Sequence, residues 1–152
     1  MRAIRILFSV LLLVLILSAC VMLNRETHDV VFLNEACIKP YKRYEYRTCD
    51  ELRVTIDGKL YVVPKDFKTN LASVPRPLWS FIAPQYSAFI APAILHDFLY
   101  HCPHHLDRKI ADEVFYAALI TEGVTAITAT KFYTAVRLFG NRHYDSGIEC
   151  KE

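Results

Sequence analysis

The sequence predicts an α+β domain, in which a small antiparallel β-sheet over residues 29–63 is followed by a bundle of three to four helices over residues 74–140. Apolar and polar residues alternate in the first range, which is the period of a half-exposed strand. Asp57-Gly58 interrupts the alternation where a tight hairpin turn is expected. The second range repeats its apolar residues every three to four positions, as one face of a helix requires.

Four β-type segments account for the predicted sheet: 29–33, 42–49, 52–57 and 60–63. The alternation ends at Pro64, and the proline-containing segment 75–77 is suited to open a short helix. Three longer helices are predicted at 91–101, 108–122 and 125–139. Pro92 fits the first turn of the first of them, and Asp107 is the predicted N-cap of the second.

The first twenty residues are typical of an export signal. Arg2 and Arg5 precede an apolar run over residues 7–17, and the motif Leu-Ser-Ala-Cys that ends at Cys20 resembles the lipobox of bacterial lipoproteins. In that family the signal is cleaved before the cysteine, so the resemblance implies lipidation of Cys20. The predicted organisation is a signal peptide over 1–19, a lipidated tether over 20–28 and one periplasm-facing α+β domain over 29–152.

An uncleaved transmembrane anchor is the alternative at this end of the chain, because residues 4–23 are also long enough to span a bilayer. Either reading attaches the domain to a membrane and places it outside the cytoplasm. Val21 stands where an aspartate resembles an inner-membrane retention signal in enteric-type lipoproteins. We therefore expect the outer membrane.

The charge balance gives no reason to expect a nucleic-acid partner. The chain has 18 basic and 16 acidic residues, and two of the basic ones, Arg2 and Arg5, belong to the predicted signal. The domain that remains is close to neutral, whereas nucleic-acid-binding domains carry a basic surface.

The cysteines support an oxidising compartment. If Cys20 is lipidated, four cysteines remain, and an even number in an exported domain predicts two disulfides. We favour Cys37–Cys49, which closes a short hairpin-like excursion, and Cys102–Cys150, which would hold the C-terminal tail. The two other pairings of these four residues stay open.

One apolar helix carries the residue types that catalysis requires. His96 and Tyr100 lie four positions apart, and therefore on one helix face, while Asp97 is rotated by about 100°. The following helix can place Asp112 against His96, and a carboxylate on one imidazole nitrogen leaves the other as a general base. The same residues would also serve as a buried polar network that fixes two helices. Metal binding without catalysis is the third interpretation.

The pattern His-Asp-x-x-Tyr followed by Ala-Asp-x-x-Phe resembles the active-site helices of secreted phospholipases of the A-two class. That resemblance implies a base at His96, a calcium ligand at Asp97, a supporting phenol at Tyr100 and a carboxylate behind the base at Asp112. The glycine-rich calcium loop of those enzymes has no counterpart, because no glycine lies between residues 64 and 95.

A longer resemblance is to the phage and prophage family catalogued as domain of unknown function 1353. It rests on motifs that occur in order at residues 64–75, 93–100, 111–115 and 135–140. Members occur widely in tailed phages and prophages, and the resemblance implies no particular activity. The family usually carries an aspartate where this chain has Asn70, so a metal or proton-accepting role there would be weaker by one charge.

Two functions of different class follow. We expect a non-enzymatic, lipid-anchored envelope protein of phage or prophage type, which needs no cofactor and binds an envelope partner in superinfection exclusion or lysis. The alternative is a calcium-dependent phospholipase- or esterase-like hydrolase. In that alternative His96, Asp112 and Tyr100 form the catalytic set, and Asp97 and Asn70 face the calcium ion.

Overall fold

The computed structural model describes residues 25–43, 45–71, 87–101 and 106–144, together with Leu12. The predicted signal peptide, the lipidation site Cys20, the short helix predicted after residue 74 and the pair Cys102–Cys150 lie outside the described residues. In the described part, six strands are followed by three α-helices, which confirms the α+β class. No helix in these residues is long and apolar enough to cross a membrane.

The strands of the described residues form two antiparallel sheets of three strands each. The first sheet contains β1 (Val30–Phe32), β4 (Leu52–Ile56) and β5 (Lys59–Val63), in that order. The second contains β2 (Ile38–Lys42), β3 (Glu45–Thr48) and β6 (Lys68–Thr69). The predicted hairpin joins β4 to β5, and Asp57 and Gly58 have the positive φ values, 50° and 78°, of a tight primed turn.

The division into two sheets, where the sequence analysis expected one, depends on two strands that the pattern did not reveal. β2 contains Pro40, which cannot donate to a neighbouring strand, and proline is confined to edge strands and bulges. The structure satisfies both conditions, because β2 pairs with β3 alone and its register shifts just after Pro40. β6 has only two residues, which is too short to show an alternation.

The apolar face of the first sheet packs on the helix α1 (Ser87–His101). Alternate residues of β4 are buried, as the predicted period requires, and they contact the side chains of α1 in one hydrophobic core. A second core lies among α1, α2 (Arg108–Thr121) and α3 (Ala126–Phe139). Because α1 contributes to both cores, it is buried on nearly all sides.

Pro92 lies inside α1 and not in its first turn, which corrects the expected start of this helix. An interior proline costs about 3 kcal/mol, because it cannot donate to the carbonyl four residues earlier and its ring crowds that turn. The additional turn carries Phe89, whose ring centroid lies 4.5 Å from that of Phe132 and 6.0 Å from that of Phe115. Burial of this ring between helices offsets the cost of the proline.

The disulfide Cys37–Cys49, which the sequence analysis favoured, joins the two ends of the β2–β3 hairpin. The main-chain N–H of Cys49 also donates to the carbonyl of Cys37 at 2.9 Å. The second sheet is therefore closed covalently at the end opposite its turn.

We predict that replacing Cys37 and Cys49 by serine lowers the free energy of unfolding by about 2–3 kcal/mol, because the unfolded chain regains the freedom of the closed loop. Urea denaturation without reductant measures the difference. Mass spectrometry of the digested wild-type protein identifies the disulfide. Equal midpoints for the wild-type and doubly substituted proteins would contradict the prediction.

Candidate functional site

The carboxylate of Asp112 is the centre of the candidate site, and side chains from α1 meet it there. His96 and Tyr100 lie on one face of α1, as their spacing predicts. His96 Nε2 is 2.9 Å from Asp112 Oδ1, and the Tyr100 hydroxyl donates to the same oxygen at 2.5 Å. The structure therefore brings together the three residues that the sequence analysis grouped as a catalytic set.

Two arginines that the sequence analysis did not assign to the site contact the second oxygen of Asp112. Arg137 of α3 donates from Nη1 to Asp112 Oδ2 at 2.9 Å, and Arg108 Nη1 lies 3.6 Å from the same atom. Arg108 stands four residues before Asp112 on one helix, a spacing that favours an ion pair. Arg137 lies within the motif at residues 135–140. The spacing of Arg108 and the motif position of Arg137 could therefore have identified both arginines from the sequence.

Arg108 also joins α2 to the end of α3. Its Nη1 donates to the main-chain carbonyls of Val136 and Arg137 at 3.3 and 3.2 Å. The last carbonyls of a helix have no partner within the helix and attract a cation through the helix dipole. One guanidinium thus stabilises both the buried carboxylate and the C-terminal turn of α3.

The His96–Asp112 pair is closed to solvent, since both side chains are 0% exposed, whereas the side chains of Arg108 and Arg137 are partly exposed. An isolated charge is expensive to bury, and the carboxylate is stabilised here by hydrogen bonds and by two cations. Burial raises the pKa of Tyr100 well above its ordinary value, and the neighbouring Asp112 charge raises it further. Tyr100 therefore stays protonated and acts as a donor throughout the physiological range of pH.

His96 uses only one of its two ring nitrogens. Nδ1 is buried and has no hydrogen-bond partner among the described residues. The tautomer that donates from Nε2 to Asp112 leaves Nδ1 with a lone pair, as a general base requires. The ring is held between Tyr100 and Phe115, with centroid distances of 4.1 and 4.6 Å.

Asp97, the predicted metal ligand, points away from this cluster toward the end of β6. Its Oδ2 accepts a hydrogen bond from the Thr69 hydroxyl at 2.6 Å and one from the main-chain N–H of Asn70 at 3.2 Å. The structure therefore brings Asn70 and Asp97 together through the main chain of Asn70, whereas the sequence analysis expected its side chain. Thr69, which the sequence analysis missed, lies directly before Asn70 in the motif at residues 64–75. The catalytic and metal roles assigned to all these residues stay predictions.

Gly140 permits the close approach of Tyr100 to the end of α3. A Cβ at this position would stand 2.5 Å from the Tyr100 hydroxyl oxygen. Its φ of −70° is open to any residue, so the space, and not the backbone conformation, requires a glycine. This glycine thus allows Tyr100 to reach Asp112.

We predict that Asp112→Asn lowers the free energy of unfolding by about 3–5 kcal/mol, because it leaves two guanidinium groups facing a neutral amide inside the helix bundle. Urea denaturation provides the measurement. Asp107→Asn is the matched control, because Asp107 is exposed and makes no side-chain cap. Similar midpoints for the two variants would show that the buried charge contributes little.

We predict that Gly140→Ala costs about 1–3 kcal/mol of unfolding free energy, the usual penalty of overpacking, because the Tyr100 ring must move away from Asp112. The penalty should be smaller in a Tyr100→Phe background, which lacks the oxygen atom nearest to the new methyl group. A double-mutant cycle measures this coupling. Equal penalties in the two backgrounds would contradict the steric explanation.

The comparisons with known proteins identify a family but no characterised relative. No curated protein and no solved structure matches the chain. The model of one family, described as "Protein of unknown function (DUF1353)", matches residues 46–136. This range is more than half of the chain and includes His96, Asp97, Tyr100 and Asp112. The protein therefore belongs to the DUF1353 family.

Proposed function

We propose that this protein is a lipid-anchored cell-envelope protein of phage or prophage type that acts by binding an envelope partner. The role that fits best is superinfection exclusion or assistance in lysis. The lipobox-like motif ending at Cys20 supplies the anchor in this proposal. The domain from residue 29 onward faces the periplasm, from the outer membrane.

The observation that carries the proposal is the disulfide Cys37–Cys49 within the folded domain. Disulfides persist in the periplasm and outside the cell, whereas the cytoplasm keeps most thiols reduced. The disulfide and the motif at Cys20 are independent features of the chain, and both support export. Their agreement favours a domain displayed at a membrane.

The polar cluster around Asp112 favours binding over catalysis. His96 and Asp112 are fully buried, and Arg137 donates to the carboxylate that a catalytic base would need for support. Proton transfer to His96 would add a positive charge to a cluster that already holds two guanidinium groups and one carboxylate. The cluster therefore serves better as the internal support of a binding domain.

Labelling and phage challenge test this proposal in a Gram-negative host that expresses the full chain. We expect wild-type protein to incorporate labelled palmitate and to lower plating of at least one tailed phage or change lysis timing. Cys20→Ala should lose the label and the effect, whereas His96→Ala should keep both wherever immunoblots show normal protein levels. Absence of label in the wild-type protein, or phage effects that require His96, would refute the proposal.

One specific observation favours a second function, ester hydrolysis. His96 Nδ1 has no hydrogen-bond partner among the described residues, while Nε2 contacts Asp112. In such an enzyme Nδ1 would take a proton from the water that attacks an ester carbonyl, and Asp112 would stabilise the imidazolium. Asp97 Oδ2 already accepts hydrogen bonds from the Thr69 hydroxyl and from the main-chain N–H of Asn70. We therefore assign the metal no step.

Fatty-acid release from vesicles of phosphatidylethanolamine and phosphatidylglycerol tests the hydrolase. The full-length protein, purified in detergent without reductant, is assayed with calcium or with a chelator, beside His96→Ala. If the protein is a hydrolase, the wild-type protein releases fatty acid and the His96→Ala variant does not. The same slow release from both proteins would rule this function out, and the chelator arm decides whether calcium contributes.

A further inference from the structure

A second buried carboxylate lies directly after Asp112 on α2. Glu113 is 1% exposed, and its Oε2 has no hydrogen-bond partner in the part of the chain that the structure describes. Its Oε1 accepts the main-chain N–H of Glu26 at 3.2 Å, and Lys109 Nζ lies 3.5 Å from that oxygen. A buried carboxylate oxygen without a partner is costly, so a ligand at Oε2 would stabilise the fold.

His28 supplies a second buried atom that lacks a partner among these residues, and the two atoms face each other. Its Nδ1 lies 2.8 Å from Asp57 Oδ2, while its Nε2, which has no hydrogen-bond partner in the described part of the chain, lies 3.8 Å from Glu113 Oε2. The contact with Asp57 favours a proton on Nδ1 and leaves the lone pair of Nε2 directed toward Glu113. A carboxylate behind an imidazole is the arrangement that orients histidine ligands in metal sites.

Asp57 is itself held in place by the turn between β4 and β5. Its Oδ1 accepts the main-chain N–H of Asp29 at 2.8 Å, and its own N–H donates to the Asp29 carbonyl at 2.8 Å. The orientation of the His28 ring is therefore set by a hydrogen-bonded turn of the first sheet.

The distances fit an ion between these side chains better than a direct contact. The 3.8 Å between His28 Nε2 and Glu113 Oε2 is too long for a hydrogen bond. Bonds of about 2.0–2.2 Å to a tetrahedral zinc ion would place the two atoms roughly 3.4 Å apart, a closure of about 0.4 Å from the observed 3.8 Å. The possible ligand atoms of Glu26, His28 and Glu113 all lie within 4.8 Å of one another.

We propose that Glu26, His28 and Glu113 bind one divalent transition-metal ion of the zinc class, with Asp57 as a positioning residue. One imidazole nitrogen and two carboxylate oxygens form a ligand set that Zn²⁺ accepts, with a fourth position for water. Mg²⁺ is disfavoured, because it prefers six oxygen ligands in an octahedron.

The ion links the segment before β1 to α2, since two ligands precede β1 and the third belongs to α2. Contacts on either side keep the same segment along this helix. The Arg25 guanidinium lies 3.4 Å from the ring centroid of Tyr116, and the Thr121 hydroxyl donates to the Val30 carbonyl at 3.0 Å. This site does not depend on whether the domain binds a partner or hydrolyses an ester.

Zinc binding by the full-length protein in detergent tests the proposal. The protein is freed of metal with a chelator, and Zn²⁺ alone is the probe, measured by calorimetry and by metal analysis after gel filtration. We expect the wild-type protein to bind one equivalent of zinc, which raises its Tm. The His28→Gln and Glu113→Gln variants should lose this zinc binding. Mg²⁺ should give neither effect. His143→Gln is the matched control, because His143 is an exposed histidine that belongs to no ligand cluster among the described residues.

Two further variants keep the test decisive if Glu113→Gln fails to fold. Glu26 is exposed, and Asp57→Asn preserves a residue type that tolerates positive φ in the turn. Asp57→Asn should weaken zinc binding by about 10–100-fold, as loss of a carboxylate behind a histidine ligand does. Glu26→Gln should weaken it as well. A wild-type protein that takes up no zinc, or Glu26→Gln and Asp57→Asn variants with unchanged zinc affinity, would overturn the proposal and leave His28 and Glu113 as an ion pair only.

Discussion

The buried carboxylate of Asp112 is the interaction on which the helical half of this domain depends. Its two oxygens contact His96 and Tyr100 from α1 and Arg137 from α3, and Arg108 joins it from the preceding turn of α2. Burying one charge costs several kcal/mol unless the geometry of its partners is good. The register of the three helices is therefore constrained by a requirement that apolar packing alone would not impose, because a shift of any helix would leave a charge or a hydroxyl unpaired.

Two adjacent buried carboxylates on α2 differ in how many of their oxygens have hydrogen-bond partners among the described residues. Asp112 and Glu113 are rotated by about 100° from each other, so one faces the helix bundle and the other faces the segment before β1. Asp112 has contacts on both oxygens, whereas Glu113 has one oxygen without a partner among the described residues. A purely structural acid would be expected to resemble Asp112. Within the part of the chain that the structure describes, Glu113 Oε2 and His28 Nε2 lack hydrogen-bond partners and lie 3.8 Å apart, and this geometry is the basis of the cation site that we propose.

Local chemistry explains which features the sequence could predict. Three predicted features depend on residue types at short separations along the chain. They are the turn at Asp57 and Gly58, the contact of His96 with Asp112 and the disulfide Cys37–Cys49. Pro92 inside a buried helix contradicts local propensity, because tertiary packing outweighs it there. Pro40 hid a strand from the sequence pattern, although an edge strand with a register shift tolerates it. The approach of His28 to Glu113 is set by how the first sheet meets α2, and no spacing within the sequence encodes that distance.

The Nδ1 of His96, which has no hydrogen-bond partner among the described residues, is the atom on which the structural and catalytic interpretations differ. Before any proton transfer, the cluster holds one carboxylate and two guanidinium groups, Arg108 and Arg137. Both oxygens of that carboxylate are already engaged, Oδ1 by His96 and Tyr100 and Oδ2 by the two arginines. In a catalytic pair the carboxylate has its charge available to stabilise the imidazolium, but in this chain the arginines already neutralise it. The contacts of Asp112 that hold the three helices together thus favour a structural role for the cluster, and this role supports the binding function that we propose.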